Sequence, residues 1–279
     1  MSPETSIVLF IFGTAIGSFV NVLALRYDGG WHAEGRSRCP HCGKTLRWFE
    51  LVPLISFAIQ RGKCRTCRER LSIQYPVVEL LSGLVWFLVP LHFAGVPWPM
   101  AAFWILASEL ILLLAVIDIR LRVVPDELVV FLGVAALLET VFAGAYLGPA
   151  EQSFLGPFAS VFGLYGELWL SHLAGAVIAG GFFGALVWVT PFVFKKEGMG
   201  MGDVTFAIPL GFLFGWPDIL MVLAVAFIAG AAVGIALIIA RRASRESALP
   251  FVPFLAAGAA YVFLFGGSTI EAYLRIIGL

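Results

Sequence analysis

Stretches of about 20 residues with scarcely a charge, the length an α-helix needs to cross the hydrocarbon core of a bilayer, recur along this chain. They fall at about 6–25, 75–96, 98–117, 124–146 and 168–194, followed by a short one at about 203–214, one ending at Ala240 and a last at about 250–277. A soluble core of 279 residues has no use for a sequence that is 60% hydrophobic and only 13% charged. The expected fold is an all-α polytopic membrane protein of about eight transmembrane helices with a small zinc-binding cytoplasmic loop domain. Residues 1–25 are the first transmembrane helix, 26–74 the loop domain and 75–279 a seven-helix transmembrane core. Met1 to Thr5 carry no positive residue and no small-residue cleavage site follows, so the first span reads as retained and not as a removed signal peptide. Within it Gly13, Gly17, Ser18 and Asn21 point to close helix packing, with Asn21 as an interhelical hydrogen-bonding group.

The net charge of zero conceals an asymmetry: ten of the eighteen Lys and Arg residues lie between Arg26 and Arg70. That distribution is a topology signal and not a nucleic-acid footprint. Placing the 26–74 loop, the Arg120 link, the Lys195 loop and the loop from Arg241 to Arg245 on one side puts nearly every cation in the cytoplasm, with both termini outside.

The four cysteines form two CxxC pairs inside the basic segment, Cys39-Pro40-His41-Cys42 and Cys64-Arg65-Thr66-Cys67, with 21 residues between them. Each knuckle presents two thiolates to one side of a tetrahedral ion, so Cys39, Cys42, Cys64 and Cys67 read as a closed, structural zinc site. A redox dithiol needs only one such pair, usually opening a helix in a soluble α/β context that this chain lacks.

Of the acids in and beside the apolar segments, two are catalytic candidates. Asp126 follows Pro125 and precedes Glu127, which is ordinary helix-start composition. Glu109 lies nine residues before Asp118, about 180° away around a helix, and reads as a protonated, hydrogen-bonded packing group. No role attaches to Glu139. Asp118 closes an apolar helix, where the helix dipole disfavours negative charge, and is a catalytic candidate; the plain alternative is an ion pair with Arg120 or Arg122. Asp203 ends the run Gly198-Met199-Gly200-Met201-Gly202-Asp203, whose alternating glycines suggest non-helical backbone beside a cleft that Gly198, Gly200 and Gly202 would support; the plain alternative is a helix cap. Asp118 closes an inward-running helix and Asp203 opens an outward-running one, so both reach the same membrane boundary. Two carboxyl groups brought together in a poorly solvated site share one proton, and the pair can then activate water and polarise a peptide carbonyl. That is aspartic-protease chemistry, without a bound metal or a nucleophilic side chain.

At this level the chain resembles the type IV prepilin peptidases over nearly its whole length. The resemblance rests on Gly17-Ser18-Phe19-Val20-Asn21-Val22 with Arg26, the two CxxC knuckles, Arg61-Gly62-Lys63-Cys64, Tyr75-Pro76 with Glu79-Leu80-Leu81, Ile117-Asp118 with Pro125-Asp126, and Glu197-Gly198-Met199-Gly200 through Gly202-Asp203. The GxGD at Gly200 to Asp203 alone also resembles the presenilin group. The resemblance implies that Asp118 and Asp203 are the catalytic pair. It implies a prepilin or pseudopilin substrate, cut between a short charged leader and one apolar helix at the cytoplasmic face of the bacterial inner membrane. It also implies N-methylation of the new N-terminus with S-adenosylmethionine, in contact with membrane lipid and with no nucleic-acid partner. The stretch from Leu147 to Glu167 is longer than the family leads one to expect, and its external place predicts no effect on catalysis. Two other classes fit fewer features: a transporter with paired acids nearer the bilayer midplane, and a non-enzymatic assembly scaffold docking through the zinc loop.

Overall fold

A computed structural model describes residues 2–27, 35–146, 153–156, 168–194, 200–242 and 249–277. The helices are α1 (Pro3–Arg26), α2 (Ile55–Ile59), α3 (Gln74–His92), α4 (Trp98–Leu121), α5 (Asp126–Tyr146), α6 (Leu168–Phe194), α7 (Met201–Phe214), α8 (Asp218–Ile239) and α9 (Val252–Ile277). Among the described residues the only β pairing is two isolated bridges, Arg38 with Thr45 and Lys63 with Arg70. Among the described residues seven helices are long and apolar enough to cross a membrane, and α7, with 14 residues, is a shorter apolar one. The chain is an all-α polytopic membrane protein, and the short sixth segment is as its sequence reads. By contacts it divides into two compact units, 1–117 and 118–279.

In the first unit α1 packs on α3, and small residues set how closely. A methyl group on Gly17 would lie 2.7 Å from the Glu79 Cα and 2.8 Å from the Val78 carbonyl oxygen, so the two backbones touch there and any side chain would separate them. Asn21 ties the same pair of segments as expected: its Nδ2 donates to the Tyr75 carbonyl at 3.1 Å and its Oδ1 accepts from Gln74 at 3.2 Å. Glu109 on α4 has the partner its sequence lacks nearby. The Ser82 hydroxyl oxygen lies 2.6 Å from Glu109 Oε1 and 2.7 Å from the Gly13 carbonyl oxygen. One hydroxyl proton cannot serve two acceptors, so a proton on Glu109 completes the chain of bonds, in keeping with a packing role.

In the second unit α6 lies against α7 at Gly175 and Gly211, where a methyl on either would run into the other's carbonyl. Helix α7 ends at Gly215, whose φ of 69° belongs to the left-handed region that glycine enters without strain. Phe183, Phe227 and Phe251 join α6, α8 and the residue before α9 into one aromatic cluster, with centroids 4.8 to 6.1 Å apart. This cluster fixes the entry of α9, which matters for the site below.

Candidate active site

Asp118 sits three residues before the end of α4 at Leu121, and Asp203 is the third residue of α7. Two features bring them together. Helix α5 packs on α7, and Gly202 lets the first turn of α7 lie on the link after α4, where an added methyl would meet the Val124 Cβ at 3.0 Å. The two carboxyl groups are close enough for the charge of Asp118 to act on Asp203. Asp118 is 5% exposed and Asp203 is half-buried.

Each acid is held by the start of a helix. Asp118 Oδ2 accepts the Val252 N–H, at the first residue of α9, at 3.2 Å. The unfavourable dipole of its own helix is thus opposed by the N-terminus of another, a partner that the sequence around Asp118 does not show. Among the described residues neither Arg120 nor Arg122 forms an ion pair with it; Arg122 acts through its charge, and its backbone N–H donates to the Asp118 carbonyl at 2.9 Å. At the start of α7 the Asp203 N–H donates to the Gly200 carbonyl at 3.2 Å. Gly200 is extended, with φ −78° and ψ 151°, and helix begins at Met201. The glycine run is therefore helical two residues earlier than its spacing suggests, because Gly202 serves packing. Gly198, with Lys195 and Lys196, lies outside the described residues.

Asp126 stays apart from this arrangement, exposed in the first turn of α5, which is the helix-start role its sequence predicts. An acid passed over in the sequence is Asp218, 1% exposed at the start of α8. It accepts the Ser153 hydroxyl and the Phe154 N–H, both at 2.7 Å, and so pins the described part of the long 147–167 connection. No local signal distinguishes it from any other turn aspartate, since its partners lie more than sixty residues away.

The four cysteines converge as their spacing predicts, with all four sulfur atoms within 4.8 Å of one another and Cys39 and Cys67 3.9 Å apart. A tetrahedral ion with zinc–sulfur bonds of about 2.3 Å separates its ligands by about 3.8 Å, so the set fits zinc. The two knuckles repeat one geometry: Cys39 N–H to Lys44 and Gly43 N–H to Cys39 in the first, Cys64 N–H to Glu69 and Arg68 N–H to Cys64 in the second, all at 2.9 Å. Backbone N–H groups of Cys67 and Thr66 bring the Cys64 thiol down to about 6. Cys67 moves the other way, to about 11: the Glu69 N–H lowers it, and burial with the hydrogen bonds from Cys64, Cys42 and Cys39 outweighs that. Four crowded thiolates need a cation to stay ionised together, and a divalent metal would supply it.

Taken together, the fold and site define a multi-pass membrane protein with a carboxylate pair at helix ends and a four-thiol loop. Two family models match it: the bacterial peptidase A24 N-terminal domain over residues 11–93, and the type IV leader peptidase family over residues 104–235. The chain is similar to the prepilin leader peptidase/N-methyltransferase of Stutzerimonas stutzeri, 31% identical over 96% of this chain and 93% of that protein. Proteins of the same description from Pseudomonas aeruginosa, 30% identical over 96% and 93%, and Bacillus subtilis, 28% identical over 96% and 98%, are similar along their full length. No solved structure matches. The chain belongs to the type IV leader peptidase family.

Proposed function

We propose that this protein cuts the leader from prepilins or pseudopilins with Asp118 and Asp203 as the catalytic pair, and then N-methylates the exposed N-terminus with S-adenosylmethionine. The observation that carries the peptidase half is the placement of two carboxyl groups within electrostatic reach in a chain of this family. Their place at the ends of α4 and α7, and not at mid-span, favours a peptidase over a transporter with a midplane site. The ionised member of the pair takes a proton from the attacking water, and the protonated member donates to the carbonyl oxygen of the peptide bond being cut. As the tetrahedral adduct collapses, the proton gained from water passes to the departing amine. The Val252 N–H leaves the second oxygen of Asp118 open to this exchange.

Both acids face the cytoplasm in this reading, with the zinc loop on the same side, both termini outside, and the protein in the bacterial inner membrane. Residues 1–25, 26–74 and 75–279 then act as first span, zinc loop domain and protease core. Zinc, held by Cys39, Cys42, Cys64 and Cys67, folds the loop and takes no part in the cut. Gly200 and Gly202, with Gly198, support the substrate cleft by position, and the Gly200 carbonyl is engaged by the Asp203 N–H.

Purified protein in liposomes is expected to shorten a prepilin by its leader and to add 14 mass units to the new N-terminus once S-adenosylmethionine is supplied, both read by mass spectrometry. An intact prepilin after prolonged incubation would turn the assignment toward a scaffold.

A further inference from the structure

A cavity of about 510 Å³ lies within the first unit, where the end of α1 and the start of α3 meet the cysteine loop. We propose that this cavity is the binding site for the methyl donor, S-adenosylmethionine, an inference that rests on the methyltransferase half of the function above.

Its size falls in the range of about 300–1,000 Å³ that encloses small organic ligands. Its walls offer what the three parts of this ligand require. Tyr75 and Phe57 supply flat apolar surface for an adenine ring. Arg36 and Arg38, both exposed at the rim, match the ligand's carboxylate. Glu79, buried at 7% exposure, places a carboxyl group for the ligand's ammonium or sulfonium.

The position of Glu79 is fixed from two sides. Its Oε2 accepts the Leu54 N–H at 2.8 Å and the Ser18 side chain lies beside its carboxyl, which leaves acceptor sites on a group that has about four. Leu54 holds φ 58° and ψ −50°, a conformation that persists only where its surroundings impose it. The strained residue and the carboxylate thus lock each other at the cavity wall. A second carboxylate on the wall, Glu50, is already committed: its Oε2 accepts the Arg47 N–H at 2.8 Å and Oε1 lies 3.6 Å from the Lys44 ammonium. The Arg47 N–H first, and then Lys44, hold its carboxyl below the ordinary range. Glu79 is therefore the acid with capacity for a ligand.

Cys39 and Cys64 also border the cavity, so the fold that the metal imposes on the knuckles shapes one wall. The bound donor supplies an electrophilic methyl carbon. The N-terminal amine, deprotonated, forms the new N–CH₃ bond as the S–CH₃ bond breaks; the electron pair stays on sulfur as the thioether, and one proton in total goes to solvent.

The test is equilibrium dialysis of S-adenosylmethionine against the full chain in detergent, as wild type, Glu79→Gln, and Arg36→Ala with Arg38→Ala. Zinc content and melting temperature report on folding. Each variant is expected to bind at least tenfold more weakly than wild type. Ultraviolet cross-linking of tritiated S-adenosylmethionine to wild type, which needs no variant to fold, is expected to label peptides within 18–79. Unchanged affinity in both folded variants, or label found elsewhere, would overturn the site while leaving methylation standing. A wild type that neither binds the donor nor methylates a cleaved prepilin would overturn both.

Discussion

Replacing Asp118 or Asp203 by Asn is expected to lower leader cleavage by about a thousandfold or more, within the range of 10²–10⁴ for a lost acid–base group with its partner also disabled. The two acids act as one unit, so Asp118→Asn with Asp203→Asn should lose no more than the worse single variant. Asn keeps the shape and can still accept the Val252 N–H, so the fold and the position of α9 should survive. Asp126→Asn should cleave within about threefold of wild type, because Asp126 lies exposed in the first turn of α5 and stands outside the pair. Initial rates on one prepilin in liposomes decide this; equal loss in all three variants would point to a structural effect of charge at this boundary.

Removing the metal should have the other large effect, confined to a different part of the chain. Structural zinc contributes apparent binding energies of about 10–16 kcal/mol, more than a loop with two isolated bridges and a five-residue helix can replace. Cys39→Ser and Cys64→Ser are expected to lose zinc by atomic spectrometry and to open residues 35–73 to limited proteolysis. Methylation should fall at least a hundredfold as the cavity wall disorders. Full zinc occupancy in either variant, or an intact loop without metal, would contradict a four-cysteine structural site.

Much of this was legible in the sequence because the signals are either long or closely spaced. Eight apolar segments announce themselves by length alone, including the short α7. Two CxxC knuckles carry their geometry in their spacing. The meeting of Asp118 with Asp203 follows from topology, since one ends a helix running one way and the other starts a helix running back.

The rest depends on contacts between distant residues. Val252 lies 134 positions from Asp118, and nothing around Asp118 tells that another helix begins beside it; the dipole of α4 alone leaves this partner out. Ser82 finds Glu109 from a neighbouring helix in the same way. The cavity is built from α1, α3 and the cysteine loop together, so no motif encodes it. The glycine run misled in one respect, because spacing cannot separate a glycine that marks non-helical backbone from one kept for close packing inside a helix, as at Gly202.

The central claim is that Asp118 and Asp203 work by sharing one proton, and the pH dependence of kcat/KM for leader cleavage tests it most directly. A pair that must hold one proton is inactive when both acids are protonated and when both are ionised, so the account predicts a bell-shaped profile whose two limbs belong to the pair. A rate that rises to a plateau and stays there at high pH, with no descending limb, would contradict it.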